Sequence, residues 1–376
     1  MLRFVRFIPV VLLLAFQPMG PALAQSRSAA GTREARDLLV TDLGNLYYLG
    51  SFSSVLDLEK PSGICGAFGL AGGKPILLSE FSRKSSPSRC EAVVDTVLGT
   101  REFGPDESLL GPIKITSDSK DRVIVAADHG SIHIFDFPRR RHSLIVGGPG
   151  ERLQSPAGLA VDGHDQLYVT DAQLGAILVY RSNGQFRRYI GSRKGERLFE
   201  RPAGIAVDQA SGHIYVADPP RNVVVMLDAD GNILAKIGTG ASGSGSGEFA
   251  APTDVVVRNQ ELFVLDAQNH RIQVFDLAGH FHASIHPESM GPSIAFSVDS
   301  RGRIYLDGPL DIVLVFQRDG RLLYRFGYTG TGSRARSVLS DIWIDSTDRI
   351  YVADMGNNRV QTFQWGVKHT TKLPRP

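Results

Sequence analysis

Cysteine and net charge are both scarce in this sequence. Its 376 residues contain only 2 Cys, and 41 Lys and Arg nearly balance 39 Asp and Glu. The two cysteines are isolated, without CxxC spacing or a nearby His, which argues against a reactive or metal-binding pair. A nucleic-acid binder needs a basic surplus or a basic face, because neutralising phosphate supplies most of its affinity. We therefore predict no nucleic-acid partner, no metal and no cofactor.

Long apolar runs are also missing, and the longest one lies at the N-terminus. Arg3 and Arg6 precede the apolar residues 8–16, and Ala22-Leu23-Ala24 resembles a cleavage site before Gln25. A membrane anchor is the alternative, but this run is far shorter than the roughly 20 residues of a spanning helix. We predict a signal peptide over residues 1–24, export to a bacterial periplasm or to the extracellular space, and no membrane span after cleavage.

Export gives the two cysteines a structural interpretation. Cys65 and Cys90 would then lie where disulfides persist. A bond between them would close a loop of about 26 residues, worth about 3 kcal/mol by chain entropy. We predict this disulfide within an N-terminal extension, residues 25–90.

A repeat organises most of the chain. Copies begin at Pro112, Pro156, Pro202, Pro252, Pro292 and Leu339, so the period is 40 to 50 residues. Each copy has four short runs rich in Val, Ile, Tyr and Phe between Gly, Asp and Asn turns, which is typical of strands. No segment has a sustained helical periodicity. Four strands per unit at this period predict the blades of an all-β propeller.

The last copy predicts how the ring closes. It has three strand-like runs and no fourth, while residues 92–99 resemble the fourth-strand segment 233–238. An N-terminal strand that completes the last blade would remove two unpaired edges. We predict a six-bladed propeller over residues 91–365 and a tail over 366–376. A degenerate seventh blade within residues 25–90 remains the alternative.

The repeated unit resembles the NHL repeat. The best matches are residues 350–363, with Asn357, Asn358 and Arg359, and residues 262–275, with Asn269 and Arg271. The resemblance covers residues 92–365 and implies a β-propeller. It leaves the activity open, because NHL-type propellers include protein-binding modules, RNA-binding modules and lyases.

The repeated Asp and Arg have a structural interpretation. The Asp that ends the second strand can accept hydrogen bonds from turn N–H groups, and the Arg can pair with carboxylates or carbonyls of neighbouring blades. We predict that both build the blade. The strand-end Asp is counted in every copy, as Asp128, Asp171, Asp218, Asp266, Asp307 and Asp354.

The resemblance also implies where a lyase would hold zinc, namely through three histidines near the first strands of different blades. No His stands beside Pro156, Pro202, Pro252 or Pro292. The pair His280 and His282 could share one face of a strand, but solvated surface histidines are the favoured interpretation. Asp254 and Asp341, two residues after a strand start, are the candidate channel residues for a metal-dependent lyase or hydrolase.

Loops between blades usually line the functional rim of a propeller. Their charges sum to zero here, which does not favour a uniform basic face, but two local positive patches are predicted. Their members are Arg193, Lys194, Arg197 and Arg201 in one loop and Arg334 and Arg336 in another. The leading hypothesis is an exported scaffold that binds a protein or an extended ligand through this rim.

Overall fold

The chain forms a ring of four-stranded antiparallel sheets in the computed structural model. The structure describes residues 46–52, 68–71, 74–77, 109–136, 139, 141–191, 197–288, 290–308, 312–326 and 338–365. The N-terminal strands are β1 (Leu46–Phe52), β2 (Phe68–Ala71) and β3 (Lys74–Leu77), of which β2 and β3 pair with each other.

The first five blades are each built from four strands in chain order. Their strands are β4 (Pro112–Ser117), β5 (Val123–Ala127), β6 (Ser131–Asp136) and β7 (Arg141–Ile145) in blade 1; after the two-residue strands β8 (Gly147–Gly148) and β9 (Glu151–Arg152), β10 (Pro156–Val161), β11 (Leu167–Asp171), β12 (Ala176–Tyr180) and β13 (Phe186–Ile190) in blade 2; β14 (Ile205–Val207), β15 (Ile214–Asp218), β16 (Val223–Leu227) and β17 (Ile233–Ile237) in blade 3; β18 (Pro252–Arg258), β19 (Glu261–Asp266), β20 (Arg271–Asp276) and β21 (Phe281–Ile285) in blade 4; and β22 (Phe296–Val298), β23 (Ile304–Gly308), β24 (Ile312–Phe316) and β25 (Leu322–Phe326) in blade 5.

Blade 6 joins two distant parts of the chain. It contains β26 (Leu339–Ile344), β27 (Arg349–Asp354) and β28 (Arg359–Trp365), and β1 pairs antiparallel with β28 from Leu46 opposite Trp365 to Phe52 opposite Val360. An N-terminal strand therefore closes the last blade, as predicted, and the propeller has six blades.

The segment that supplies this strand was wrongly predicted. The closing strand lies at residues 46–52 instead of 92–99, and the latter lie outside the described residues. Both segments are short runs rich in apolar residues, and such a run does not encode which exposed edge a strand will pair with. Part of the segment interpreted as an extension is thus a strand of blade 6. Cys65 and Cys90 also lie outside the described residues, so their disulfide stays a prediction.

The ring closes because the innermost strands contact one another in cyclic order. Strands β4, β10, β14, β18, β22 and β26 each pack on the next, and β26 packs on β4. One apolar cluster fills each space between neighbouring blades. Every middle strand must therefore be apolar on both faces, as the fully buried patterns of β11, β15 and β16 show.

Asp residues hold the turns opposite the rim. In blade 1 the Asp118 carboxylate accepts hydrogen bonds from the N–H groups of Lys120 and Arg122, and the same arrangement recurs with Asp162, Asp299 and Asp345. Such turns satisfy backbone donors that would otherwise lack partners. The turn sequence therefore needs an Asp at this position to close the hairpin.

Candidate functional site

One residue in or directly before each first strand stands at an equivalent register around the ring. The register shifts by one residue just before this position in β4, β10, β18 and β26, which marks a bulge. The six equivalent residues, by strand pairing or by backbone hydrogen bond to the second strand, are Lys114, Gly158, Gly204, Asp254, Ala295 and Asp341. The channel thus has three charged positions and three small ones.

The three charged residues meet in the channel. The Lys114 Nζ donates to Asp254 Oδ2 at 2.7 Å and to Asp341 Oδ1 at 3.1 Å. Asp341 Oδ2 also accepts the Ile115 N–H at 2.7 Å. Because blade 4 lies opposite blade 1 in a six-membered ring, the lysine side chain crosses the channel. Both predicted channel carboxylates are therefore already bound to an ammonium group.

Gly204 lies beside these charged residues, and its position has no room for a side chain. A Cβ added at Gly204 would lie 2.6 Å from the Asp254 Cα and would overlap the Asp254 carboxylate. The inner strand of blade 3 therefore needs glycine so that blade 4 can place its carboxylate in the channel.

Burial sets the electrostatics of the channel. Burial disfavours the charged form of Lys114, but the two carboxylates outweigh it and raise the pKa of its ammonium group. Burial raises the pKa of Asp341 to about 6, with Lys114 opposing the shift and Asp254 adding to it. One ammonium group shared by two carboxylates leaves this site with an excess of negative charge when all three groups are ionised.

A third carboxylate lies in the field of Lys114. Burial raises the pKa of Asp307 to about 6, against the N–H groups of Ala295 and Ile294 and the charge of Lys114. The Asp307 N–H bonds to the Ala295 carbonyl as the Ala217 N–H bonds to Gly204. Asp307 therefore stands one residue before the strand-end position, which Gly308 occupies.

The strand-end Asp is consequently not the same residue in every blade. In blade 1 it is Ala127 that pairs with Pro112, as Asp266 pairs with Pro252 in blade 4, so Asp128 lies one residue beyond the strand end. Asp128 and Asp307 therefore do not occupy the strand-end register that was predicted for them, because Ala127 and Gly308 stand there. Asp307 nevertheless accepts the N–H groups of Ile294 and Ala295 in the loop that enters its blade.

Where the strand-end Asp is present, it fastens the loop that enters its own blade. Asp171 accepts the N–H groups of Gln154 and Ser155, and Asp218 accepts those of Glu200 and Arg201. In blade 4, Arg271 Nε binds Asp266 at 2.8 Å, and its two terminal nitrogens reach three carbonyls of the loop, at Ser244, Gly245 and Glu248. These residues build the blade, which agrees with the structural interpretation.

The predicted rim cations are only partly within the described residues. Arg197 and Arg201 are exposed at the start of blade 3, near Arg221, which donates to the carbonyls of Leu198 and Arg197. The other predicted patch members, Arg193, Lys194, Arg334 and Arg336, lie outside the described residues.

Sequence reasoning missed an apolar feature of the same face. We call the face at which the first strands begin the rim face. Leu110, Ile294 and Val338 are 43%, 55% and 36% exposed, and each lies within two residues of a first strand. They belong to blades 1, 5 and 6, which are consecutive around the ring. A signal for them was available, because each is an aliphatic residue in a loop where a polar residue is expected.

The possible metal ligands do not converge on one site in the described structure. Within the part of the chain that the structure describes, no group of three or more His, Cys, Asp or Glu could hold a metal ion. His280 is 78% exposed and binds Asp276 at 2.8 Å, while His282 lies 3.9 Å from Glu261. The two histidines therefore have separate acidic partners.

Comparisons with known proteins agree with this architecture. A family model described as a 6-bladed beta-propeller matches residues 205–290. Human NHL repeat-containing protein 3 is 26% identical over 179 residues, which is 42% of this chain and 50% of that protein. NHL repeat-containing protein 2 of Gallus gallus is 30% identical over 190 residues, 46% of this chain and 25% of that protein. The chain thus spans half or less of the length of these relatives.

Solved structures show the same fold. A gluconolactonase from Xanthomonas campestris superposes with a TM-score of 0.53 at 18% identity, covering 69% of this chain and 88% of that one. The structure of U3-55K gives 0.50 at 14% identity, covering 68% and 78%. The fold and the matched family model define a six-bladed β-propeller. Within that class, the sequence similarity supports the NHL-repeat family.

Proposed function

We propose that this chain is an exported NHL-type propeller that binds a protein or an extended ligand on its rim face. The observation that carries the proposal is the set of three exposed aliphatic side chains, Leu110, Ile294 and Val338, on three consecutive blades. Aliphatic side chains gathered on one face of a soluble fold indicate a surface that a partner covers.

The channel supports a rim site over a deep site. Lys114 crosses the channel and binds Asp254 and Asp341, so an incoming ligand would have to break two buried ion pairs to pass. Breaking buried pairs of this kind is costly because it leaves an uncompensated charge. A flat or extended partner that rests on the rim avoids this cost.

The alternative, a metal-dependent lyase or hydrolase, would need Asp254 and Asp341 as ligands. Both are engaged by Lys114 in the described structure. The resemblance to a lactonase propeller lies below 25% identity and concerns the fold. No specific observation favours the enzyme over the scaffold.

The rim site is tested with a matched pair of variants. One replaces Leu110, Ile294 and Val338 by Ser, and the control replaces Ile233 and Leu234 by Ser on the outer strand β17, where the side chains are 46% and 47% exposed. Cross-linking in extracts of the source organism, read by mass spectrometry, should give partners that the rim variant loses and the control keeps. Equal partner sets for wild type and both variants would refute the rim site.

Export has its own test. The full chain, expressed in a bacterium with an intact envelope, should appear outside the cytoplasm with Gln25 as its N-terminal residue, as read by intact mass. Recovery of an unprocessed chain from the cytoplasm alone would overturn the proposed export.

A further inference from the structure

Blade 1 differs from blades 4 and 6 at two positions on its third strand. Blade 4 has Arg271 and Gln273 there, and blade 6 has Arg359 and Gln361 at the same register. The strand pairing places Ser131 and His133 at these positions in blade 1. A permanently charged Arg is thus replaced by the neutral Ser131, and a neutral Gln by His133, whose charge changes with pH.

The replaced residues belong to a continuous hydrogen-bonded row, which we call the histidine row: His129, Ser131, His133 and His142. Ser131 Oγ lies 3.0 Å from His129 Nε2 and 3.1 Å from His133 Nε2. His133 Nδ1 lies 3.0 Å from His142 Nε2. At its outer end, His129 Nδ1 lies 3.4 Å from Asp128 Oδ1. Three imidazoles therefore share one chain of hydrogen bonds that runs from an exposed carboxylate through the buried His133 ring to the half-buried His142.

The histidine row lies at the seam where the ring closes. His133 and His142 stack on Phe135, at centroid distances of 6.1 and 4.8 Å. Phe135 in turn packs in one apolar cluster with Tyr351 and Val360 of blade 6. Blade 6 is the blade that combines β1 with the last strands. The row is thus next to the contact between the first blade and the composite last one.

We propose that the histidine row is an acid-sensitive latch that stabilises the seam between blade 1 and blade 6 at neutral pH and loosens it as the pH falls. A neutral imidazole donates one hydrogen bond and accepts one, which lets the row form an unbroken chain. When two neighbouring imidazoles are protonated, the ring nitrogens that face each other are both donors and both positive. The chain must then open, and the rings that it holds against Phe135 move.

The burial of His133 determines in which direction stability changes with pH. His133 is 1% exposed, and burial lowers its pKa to about 3, with His142 and His129 adding to the shift. Since this pKa lies below the ordinary 6.5, the folded chain resists a proton that the unfolded chain accepts. The stabilising contribution is therefore complete above pH 6.5 and is lost as the pH falls towards 3.

Other charged groups at the seam are mostly paired within their own blade. Asp354 binds Arg359 at 2.9 Å, and the Arg349 guanidinium donates to the Tyr351 hydroxyl at 3.1 Å. The titratable and charged side chains that the structure describes on the strands and the intervening rim turn of the two blades are Lys114, Asp128, His129, His133, Asp136, Arg141 and His142 in blade 1 and Asp341, Arg349, Tyr351, Asp354 and Arg359 in blade 6. Only His129 and His142 shift the pKa of His133 by their charge.

The chain itself supplies the test variants. His133→Gln introduces the residue that blades 4 and 6 hold at this register, and His142→Phe introduces the residue that pairs at this place in blades 2 and 4, Phe186 and Phe281. His164→Gln, at an exposed turn of blade 2, is the control. Urea unfolding of the full chain between pH 7.5 and 5 measures the effect. The wild-type unfolding constant should rise, relative to His133→Gln, about tenfold per pH unit below 6.5.

The location is tested by hydrogen exchange. Acid should accelerate exchange in β6, β7 and β28 before β15 and β16 of blade 3, and His133→Gln should remove this difference. A pH profile of His133→Gln that matches wild type, or uniform acceleration in all blades, would overturn the proposal. If His133→Gln fails to fold, His142→Phe and direct NMR titration of the His133 ring in wild type decide, since a ring pKa near 6.5 is incompatible with the latch.

Discussion

A single residue in the channel, Lys114, compensates the charge of two buried carboxylates. It is the one ammonium group among the six equivalent inner positions. The net stabilisation from such a group is small compared with the cost of removing one member, because the partners then remain charged and buried.

Lys114→Met is therefore expected to destabilise the chain by about 3–5 kcal/mol at pH 7.5. This loss of stability should shrink towards pH 5, since Asp341, whose pKa burial raises to about 6, can then take up a proton. Denaturant unfolding at the two pH values measures both effects. Lys236→Met, on an exposed position of β17, is the control and should change little. A Lys114→Met loss that does not depend on pH would contradict the assigned charges.

Asp307 predicts a pH effect of opposite sign to that of His133. Its pKa of about 6 lies above the ordinary value of 3.8, so the folded chain binds a proton that the unfolded chain releases between these pH values. Its contribution to stability rises as the pH falls from 7 to 4. Asp307→Asn should stabilise the chain at pH 7.5 by about 3 kcal/mol and leave it nearly unchanged near pH 4. Thermal or urea unfolding checks this, and a destabilised Asn variant at pH 7.5 would contradict it.

The residue scale also shows where the sequence was informative. The distance of two residues from a strand start was enough to place Asp254 and Asp341 at inner positions. Their common partner was missed, because Lys114 lies 140 residues from Asp254 and 227 from Asp341 in the sequence. No local periodicity records which blades face one another across a ring.

At the scale of the strand, an Arg side chain connects a blade to the loop that enters it, through an ion pair and hydrogen bonds. Arg271 contacts Asp266 and three carbonyls, and its side chain is 7% exposed. In blade 3, Val223 stands at the register of Arg271, and Arg221, in the turn before β16, lies 3.6 Å from Asp218 and is 36% exposed. The Asp of blade 3 therefore has a more exposed Arg partner, from a different position, than the Asp of blade 4.

Ala substitutions should show that the buried Arg271 contributes more to stability than the more exposed Arg221. Arg271→Ala is expected to cost about 3 kcal/mol, because it leaves Asp266 and loop carbonyls without their donor. Arg221→Ala should cost about 1 kcal/mol. Unfolding free energies measure both, and hydrogen exchange in residues 241–249 should increase in the first variant alone. Equal losses would contradict the distinction by burial.

The sequence predicted the individual strands better than it predicted single-residue contacts. The recurrence of runs rich in Val, Ile and Tyr between Gly and Asp turns predicted four strands in each of the first five blades and three in the last copy, because the pattern is local. It did not identify β1 as the fourth strand of blade 6. The register of individual strand ends was less accessible. Asp128 and Asp307 lie one residue after and one residue before the strand-end register, which Ala127 and Gly308 occupy.

At the scale of the whole molecule, ring closure depends on one pairing. β1 covers the edge of β28 along Leu46 to Phe52. Without it, the last blade would keep three strands and an unpaired edge, which favours association between chains.

Two truncations test this closure. A chain that begins at residue 53 should be less stable and should self-associate at rising concentration, while one that begins at residue 46 should behave as the mature protein. Light scattering and thermal unfolding measure the difference. A monomeric and equally stable chain without β1 would show that another segment, such as residues 92–99, can take its place.

The pairing of β1 with β28 also determines when the ring can close during synthesis. A ribosome makes β1 more than 300 residues before it makes β28, so the first strand to emerge is the last to find its place. Five blades can form in order along the growing chain, but blade 6 must wait until synthesis has passed Trp365. The ring therefore cannot close until synthesis of the described strands is complete, however early the first five blades form.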